Sequence, residues 1–142
     1  MANAPEAPIA RPLVVDASAV IGYLLEDPTG TPLREALLRG DDLHAPAVVD
    51  LEFASALRRA ARGRPPEIAR VSERIAAYRA LPLQRHSHEP LLERVLDLPD
   101  VFSAYDAAYV ALAEQVGAAL LTEDLRLARA IRASRVVDVE LA

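Results

Sequence analysis

The chain of 142 residues has no cysteine and no tryptophan, and none of its 16 basic residues is a lysine, so every one is an arginine. Without cysteine there is no disulfide, no thiolate zinc site and no cysteine nucleophile, which agrees with a reducing compartment. Without lysine there is no Schiff-base amine and no Walker-type phosphate clamp, and several large enzyme classes fall at this step. No apolar run approaches the roughly 20 residues a membrane helix needs. The opening "MANAPEAPIA" has neither the basic start nor the apolar stretch of a secretory signal, so the expectation is a cytoplasmic protein without a membrane partner. A formal net charge of -5 argues against coating nucleic acid through a general basic field. Local basic patches remain: Arg58, Arg59, Arg62 and Arg64 cluster, and Arg126, Arg129, Arg132 and Arg135 recur at helical spacing. Alone, each group reads as helix-terminal or surface cations.

What is present alternates. Residues 1–10 show little periodicity and read as a flexible N-terminal arm, leaving 11–142 as a single domain. "PLVVD" (12–16) reads as a buried strand, "SAVIGYLLE" (18–26) as a helix, and Pro32–Arg39 as a second helix with Thr31 as cap and Gly40 as stop. "DLHAP" is a short strand ending at Pro46, followed by a helix closing at Gly63. One helix is expected over 66–80, with Ile68, Val71, Ile75 and Tyr78 on one stripe. "LPLQRH" reads as a strand, "PLLERVLDL" as a helix and "SAYDAAYVALAEQVG" as a helix ending at Gly117. Strand "AALLT", helix "LRLARAIRA" and strand "VVDV" finish the chain. This order predicts an α/β fold, a three-layer α/β/α sandwich around a central, mainly parallel sheet.

Four acids fall at the carboxyl ends of strands or in the helices just beyond, the ligand crevice of open α/β sheets. Asp16 ends the first strand, and Glu52 is placed about two turns into the helix after the second. Asp106 opens an almost wholly apolar helix, and Asp124 follows "AALLT" by two residues. Singly, each has a structural explanation. Asp16 reads as an N-cap, Ser103 and Asp106 have capping-box spacing, Asp124 complements a helix dipole, and Glu52 suits an amphipathic border. Together, four carboxylates in one crevice would repel one another unless a cation neutralised them. Oxygen-only ligands suit Mg²⁺ or Mn²⁺, and such a site implies phosphoester hydrolysis.

At these residues the sequence resembles the PIN-domain ribonucleases, specifically the VapC-type toxins of bacterial toxin–antitoxin pairs. The segments that carry the resemblance are "VVDASAVIGYLL", "HAPAVVDLEFASALRR", "SAYDAAYVALAE" and "LLTEDLRLARA", which span residues 14–130. The resemblance implies that Asp16, Glu52, Asp106 and Asp124 form the catalytic acidic quartet, with Asp16 and Asp106 as direct metal ligands. It implies that Ser18 and Thr122 support the site through hydroxyl hydrogen bonds. Where the family often shows Glu-x-x-Asn, Ser55 stands here. The resemblance further implies an RNA substrate, a homodimer and inhibition by a cognate VapB-type antitoxin. The activity it implies is that of a Mg²⁺-dependent endoribonuclease toxin in which metal-activated water hydrolyses RNA phosphodiesters. The resemblance does not assign the residues that bind substrate; on charge alone, the arginines of 58–64 or of 126–135 are candidates for phosphate contacts.

Other constellations carry less. His44, His86 and His88 include an H-x-H pair without an evident third ligand. Tyr105 and Tyr109 bracket Asp106, where helical packing competes with base stacking. The apolar stripes at 66–80 and 91–98 suit a dimer or antitoxin groove as well as a core. Among rivals, a haloacid-dehalogenase-type site lacks its second aspartate at Ser18, and a receiver domain lacks its lysine. A non-catalytic PIN scaffold that binds RNA or protein is the alternative in a different class.

Overall fold

The computed structural model describes Ala4 and residues 10–141; the expected arm over 1–10 lies, apart from Ala4 and Ala10, outside the described residues. Strand β1 (Pro12–Val15) is flanked by β2 (Asp42–Pro46) and β4 (Ala119–Thr122), with β3 (Leu83–His86) beyond β2 and β5 (Val139–Leu141) beyond β4. All four pairings are parallel. In β1, Leu13, Val14 and Val15 are all 0% exposed. Burial of consecutive residues, rather than alternate ones, marks a strand covered on both faces. The two edge strands are short and only partly buried, with Gln84 and Arg85 exposed, which leaves little edge for another chain to extend.

The helices are α1 (Ala17–Leu25), α2 (Pro32–Arg39), α3 (Val49–Ala61), α4 (Pro65–Ala69), α5 (Val71–Arg79), α6 (Leu92–Asp97), α7 (Ala104–Val116) and α8 (Leu125–Ser134), with a 3₁₀ turn at Glu89–Leu91. They complete the three-layer α/β/α architecture. Helix α7 is buried over Ala107–Ala113 and lies against β1, β2 and β4, so it is nearly a core element. Its start and stop are local chemistry: Ser103 and Asp106 form a reciprocal capping box, and Gly117 takes the left-handed conformation at φ 66°. Helix α2 ends in the same way at Gly40.

Three expectations need correction. The helix expected over 66–80 is two helices that meet at Arg70, whose N–H bonds the carbonyls of Glu67 and Ile68 in a tightened turn. The last strand is not "VVDV". Arg135 ends α8 in a left-handed conformation at φ 53°, Val136 and Val137 carry the chain to the sheet edge, and pairing starts with Leu120 opposite Val139. Glu52 lies in the first turn of α3, not two turns in, because the helix begins only at Val49. No helix among the described residues is long and apolar enough to cross a membrane.

Candidate active site

The strand order β3-β2-β1-β4-β5 reverses direction between β1 and β4, and beyond the carboxyl ends of the strands at such a point lies the ligand crevice of open α/β sheets. Asp16 follows β1 at this point, with its own N–H bonded to the carbonyl of Leu121 in β4 at 2.9 Å. It occupies the N-cap position of α1 but makes no side-chain cap, so the capping explanation does not account for it. Its carboxylate turns instead to two hydroxyls. Ser18 Oγ donates to Asp16 Oδ2 at 2.6 Å, and Thr122 Oγ1 donates to the same oxygen at 2.9 Å. Each hydroxyl is oriented in turn: the Glu123 N–H donates to Ser18 Oγ, and the Asp124 N–H donates to Thr122 Oγ1, both at 3.0 Å. Both side-chain donors therefore load one oxygen of a carboxylate that is 7% exposed. Burial pushes the Asp16 carboxyl above its usual range, the two hydroxyls pull it down, and the charges of Asp124 and Asp106 push it up again.

The other acids face the same crevice. Glu52 is half-buried and accepts a hydrogen bond from Tyr109 Oη at 2.9 Å. Burial raises the Glu52 carboxyl, against the pull of Tyr109 and with the added push of Asp16 and Asp106. Tyr109 is 1% exposed, and burial together with the charges of Glu52 and Asp16 raises its pKa and keeps it a donor. Asp106 accepts the Ser103 N–H at 3.3 Å, so it keeps its capping role while its charge also acts on Asp16 and Glu52. Asp124 caps α8 through Leu127 N–H at 3.2 Å. Arg126 joins the last two: its Nη2 donates to Asp106 Oδ2 at 3.0 Å and to Asp124 Oδ2 at 3.5 Å.

The structure joins Asp16 to Ser18 and Thr122 by hydrogen bonds and links Asp106 to Asp124 through Arg126; the sequence reading missed Tyr109 as a partner of Glu52 and Arg126 as a partner of Asp106 and Asp124. The signal for Arg126 was available: a cation in the first turn of a helix opposes the macrodipole and needs a local acid. As the side chains lie, no three His, Asp or Glu groups among the described residues close on a common point at metal-ligand distance. The donor set nevertheless fits a hard divalent cation. It is made of oxygens alone, two of its acids are raised by burial and mutual repulsion, and a guanidinium has already been drawn onto the other two.

The remaining candidates lie elsewhere. Ser55 is exposed and meets Arg59 at 3.4 Å. Arg58 and Arg62 rim an apolar trough of about 900 Å³ beside α3, α4 and α5, rather than the acidic crevice. His44 bonds Asp42 and His86, each at 2.8 Å, and His88 accepts the Val48 N–H at 2.9 Å, so the histidines knit β2 to β3 and to the start of α3. Tyr105 is exposed and lies beside Leu91, Leu92 and Val95.

Comparison with known proteins agrees with this layout. The sequence profile of the PIN domain family matches residues 13–133. VapC ribonuclease Mb0985 of Mycobacterium bovis is 41% identical over 115 residues, covering 81% of this chain and 87% of its own length. Ribonuclease VapC3 of Mycobacterium tuberculosis is 39% identical over 118 residues, covering 83% and 86%. Among solved structures, VapBC2 from Rickettsia felis, bound to a DNA fragment from their promoter, superposes with a TM-score of 0.63 at 10% identity, covering 92% of this chain and 98% of that one. PAE2754 from Pyrobaculum aerophilum superposes with a TM-score of 0.61 at 24% identity, covering 92% of each chain. At such identities these two structures speak for the fold.

Proposed function

This chain belongs to the PIN-domain family, and on that premise we propose that it is a Mg²⁺-dependent endoribonuclease, the toxin of a VapC-type toxin–antitoxin pair. The observation that carries the reading is Asp16. A nearly buried carboxylate with two hydroxyls on one oxygen and two acids nearby is an arrangement suited to a cation and poorly suited to a bare protein. Relatives at 39% and 41% identity are named as ribonucleases, which supports RNA as the substrate class.

In this reading Asp16 and Asp106 hold the ion, and Asp124 completes the negative wall. A bound divalent ion supplies a water of lowered pKa and positive charge at the scissile phosphate. Ser18 and Thr122 fix the Asp16 carboxylate, so it needs no reorganisation when substrate arrives. Tyr109 occupies Oε1 of Glu52, which leaves Oε2 to accept the proton released as water attacks. The raised pKa of Glu52 suits that role. The products are a 5′-phosphate and a 3′-hydroxyl. Two apolar surfaces suit partners: the trough beside Leu57, Ile68 and Ile75, rimmed by Arg58, Arg62 and Arg79, fits an acidic amphipathic antitoxin helix, and exposed Leu92, Leu96 and Tyr105 fit a second copy of the chain.

The test is cleavage of total RNA by antitoxin-free protein with Mg²⁺, with EDTA, and with Asp16→Ala or Asp106→Asn. Cutting that requires Mg²⁺ and both acids is expected. Cutting that survives EDTA would demand another mechanism, and RNA binding without cutting would make the protein a non-catalytic scaffold.

A further inference from the structure

Arg126 is the second residue of α8, at the helix end whose dipole disfavours a cation. Its side chain is 61% exposed, yet it reaches Asp106 at 3.0 Å and Asp124 at 3.5 Å, tying the starts of α7 and α8 together across the crevice. No other basic side chain among the described residues pairs with any of the four acids. Arg129 and Arg132, on the same helix, make no ion pair among the described residues. The guanidinium thus supplies positive charge to two of the four acids, but it is held by one Nη atom and is largely open to water. Such contacts are weak and exchange readily.

We infer that Arg126 is a built-in counter-cation of the metal centre, holding Asp106 and Asp124 in the metal-free protein and giving them up when the divalent ion binds. This rests on the reading of the crevice as a metal site. Two cations sharing these carboxylates would repel at short range, so each lowers the other's occupancy, and the antagonism is reciprocal by linkage. The arginine would keep the metal-free crevice from repelling itself apart and would weaken metal binding in proportion. Once released, the guanidinium remains at the mouth of the crevice.

The experiment is calorimetric titration of Mn²⁺ into substrate-free wild type, Arg126→Gln and Arg126→Lys. Arg126→Gln should bind Mn²⁺ about two- to thirty-fold more tightly, the range that two surface ion pairs correspond to. Arg126→Lys, which keeps the charge, should stay near wild type. Equal or weaker binding by Arg126→Gln would overturn the proposal and make Arg126 a brace that holds the ligands in place. No Mn²⁺ binding in wild type would bring down the metal-site reading itself and this inference with it. A second readout works on wild type alone, should the glutamine variant fail to fold. The ¹⁵N guanidinium resonance of Arg126, restrained without metal, should become motionally averaged on saturation with Mg²⁺, and persistent restraint would refute the exchange.

Discussion

Helix α3 carries two tyrosine–carboxylate pairs that have opposite characters, although their acids are only two residues apart. Asp50 accepts from the Tyr78 hydroxyl and from Arg85 Nε, the latter at 2.6 Å, and the Arg85 guanidinium lies 4.9 Å from the centre of the Tyr78 ring. Glu52 accepts from Tyr109 and has no cationic partner among the described residues. Residues two apart on a helix project about 200° from each other, so one acid meets α5 and β3 while the other meets α7. Burial works upward on both carboxyls. At Asp50 the tyrosine and arginine outweigh it and the pKa falls, whereas at Glu52 neighbouring Asp16 and Asp106 add to it and the pKa rises. Burial first, and then its hydrogen bond to Asp50, push the phenol of Tyr78 up to about 12, against the pull of Arg85. The first pair is complete in itself and pins α5 to the sheet, with Phe53 stacked on Tyr78 at 4.3 Å. The second lacks a positive charge, and the crevice supplies the place for one.

The sharpest way to break this contrast is to remove charge from the incomplete side. Asp16→Asn should lower metal-dependent cleavage by at least about a hundredfold, since a ligand to the ion is worth several kcal/mol of barrier. The same variant should unfold, without metal, at a temperature no lower than wild type, because it no longer buries a charge beside Asp106 and Asp124. Cleavage assays and metal-free thermal melts check the two halves. A strongly destabilised metal-free variant would mean that Asp16 is structural after all.

Matched substitutions of the two tyrosines sharpen the comparison with smaller effects. Tyr78→Phe and Tyr109→Phe each delete one hydrogen bond to a carboxylate and should each cost about 1 kcal/mol in urea unfolding. Only Tyr109→Phe should slow Mg²⁺-dependent cleavage, by about tenfold, as expected when the proton acceptor Glu52 loses its orienting partner. Equal cleavage rates in the two variants would erase the distinction between anchor and site.

Part of this contrast was open to sequence reading and part was not. The start of β1, the whole of α2 and the run of α7 follow from aliphatic runs and local caps at Thr31, Gly40, Ser103 and Gly117, which act within a few residues. The break at Arg70 has no glycine or proline to announce it. It comes with tertiary contacts, including the pair of mostly buried Arg74 with Glu67 at 2.5 Å across the turn. Strand β5 depends on which residues reach β4, and Val136 and Val137 are as β-prone as the residues that pair. At the site, Asp16, Asp106 and Asp124 sit beside strand ends or helix starts that a sequence reveals. The hydroxyl of Tyr109 meets Glu52 only because α7, packed against β1, β2 and β4, carries it to the first turn of α3, so its spacing along α7 reads as core. Arg126 merges with Arg129, Arg132 and Arg135 into one row until the first turn of α8 is fixed.

The smallest effect, a pH dependence, separates the two sides by sign. Asp16 and Glu52 have folded pKa values above their unfolded ones, so the fold binds protons more tightly than the open chain. Their contribution to stability is fully present below the unfolded values and is lost as pH rises through the folded ones. Asp50 behaves in the reverse way: its depressed pKa gives stability that is present above the unfolded value and lost as pH falls through the folded one. Metal-free protein should therefore gain stability as pH drops from neutral towards the ordinary carboxylate range, and lose it again only once Asp50 begins to protonate. Saturating Mg²⁺ replaces protons as the counter-charge of the crevice, so its stabilising increment should shrink over the interval in which Asp16 and Glu52 take up protons. Thermal melts across pH with and without Mg²⁺ read both slopes. Asp16→Asn should flatten the metal-free slope above the carboxylate range and leave the acid limb set by Asp50 in place. A metal-free stability that climbs with pH through that interval would mean that Asp16 and Glu52 are already stabilised as carboxylates without a metal ion.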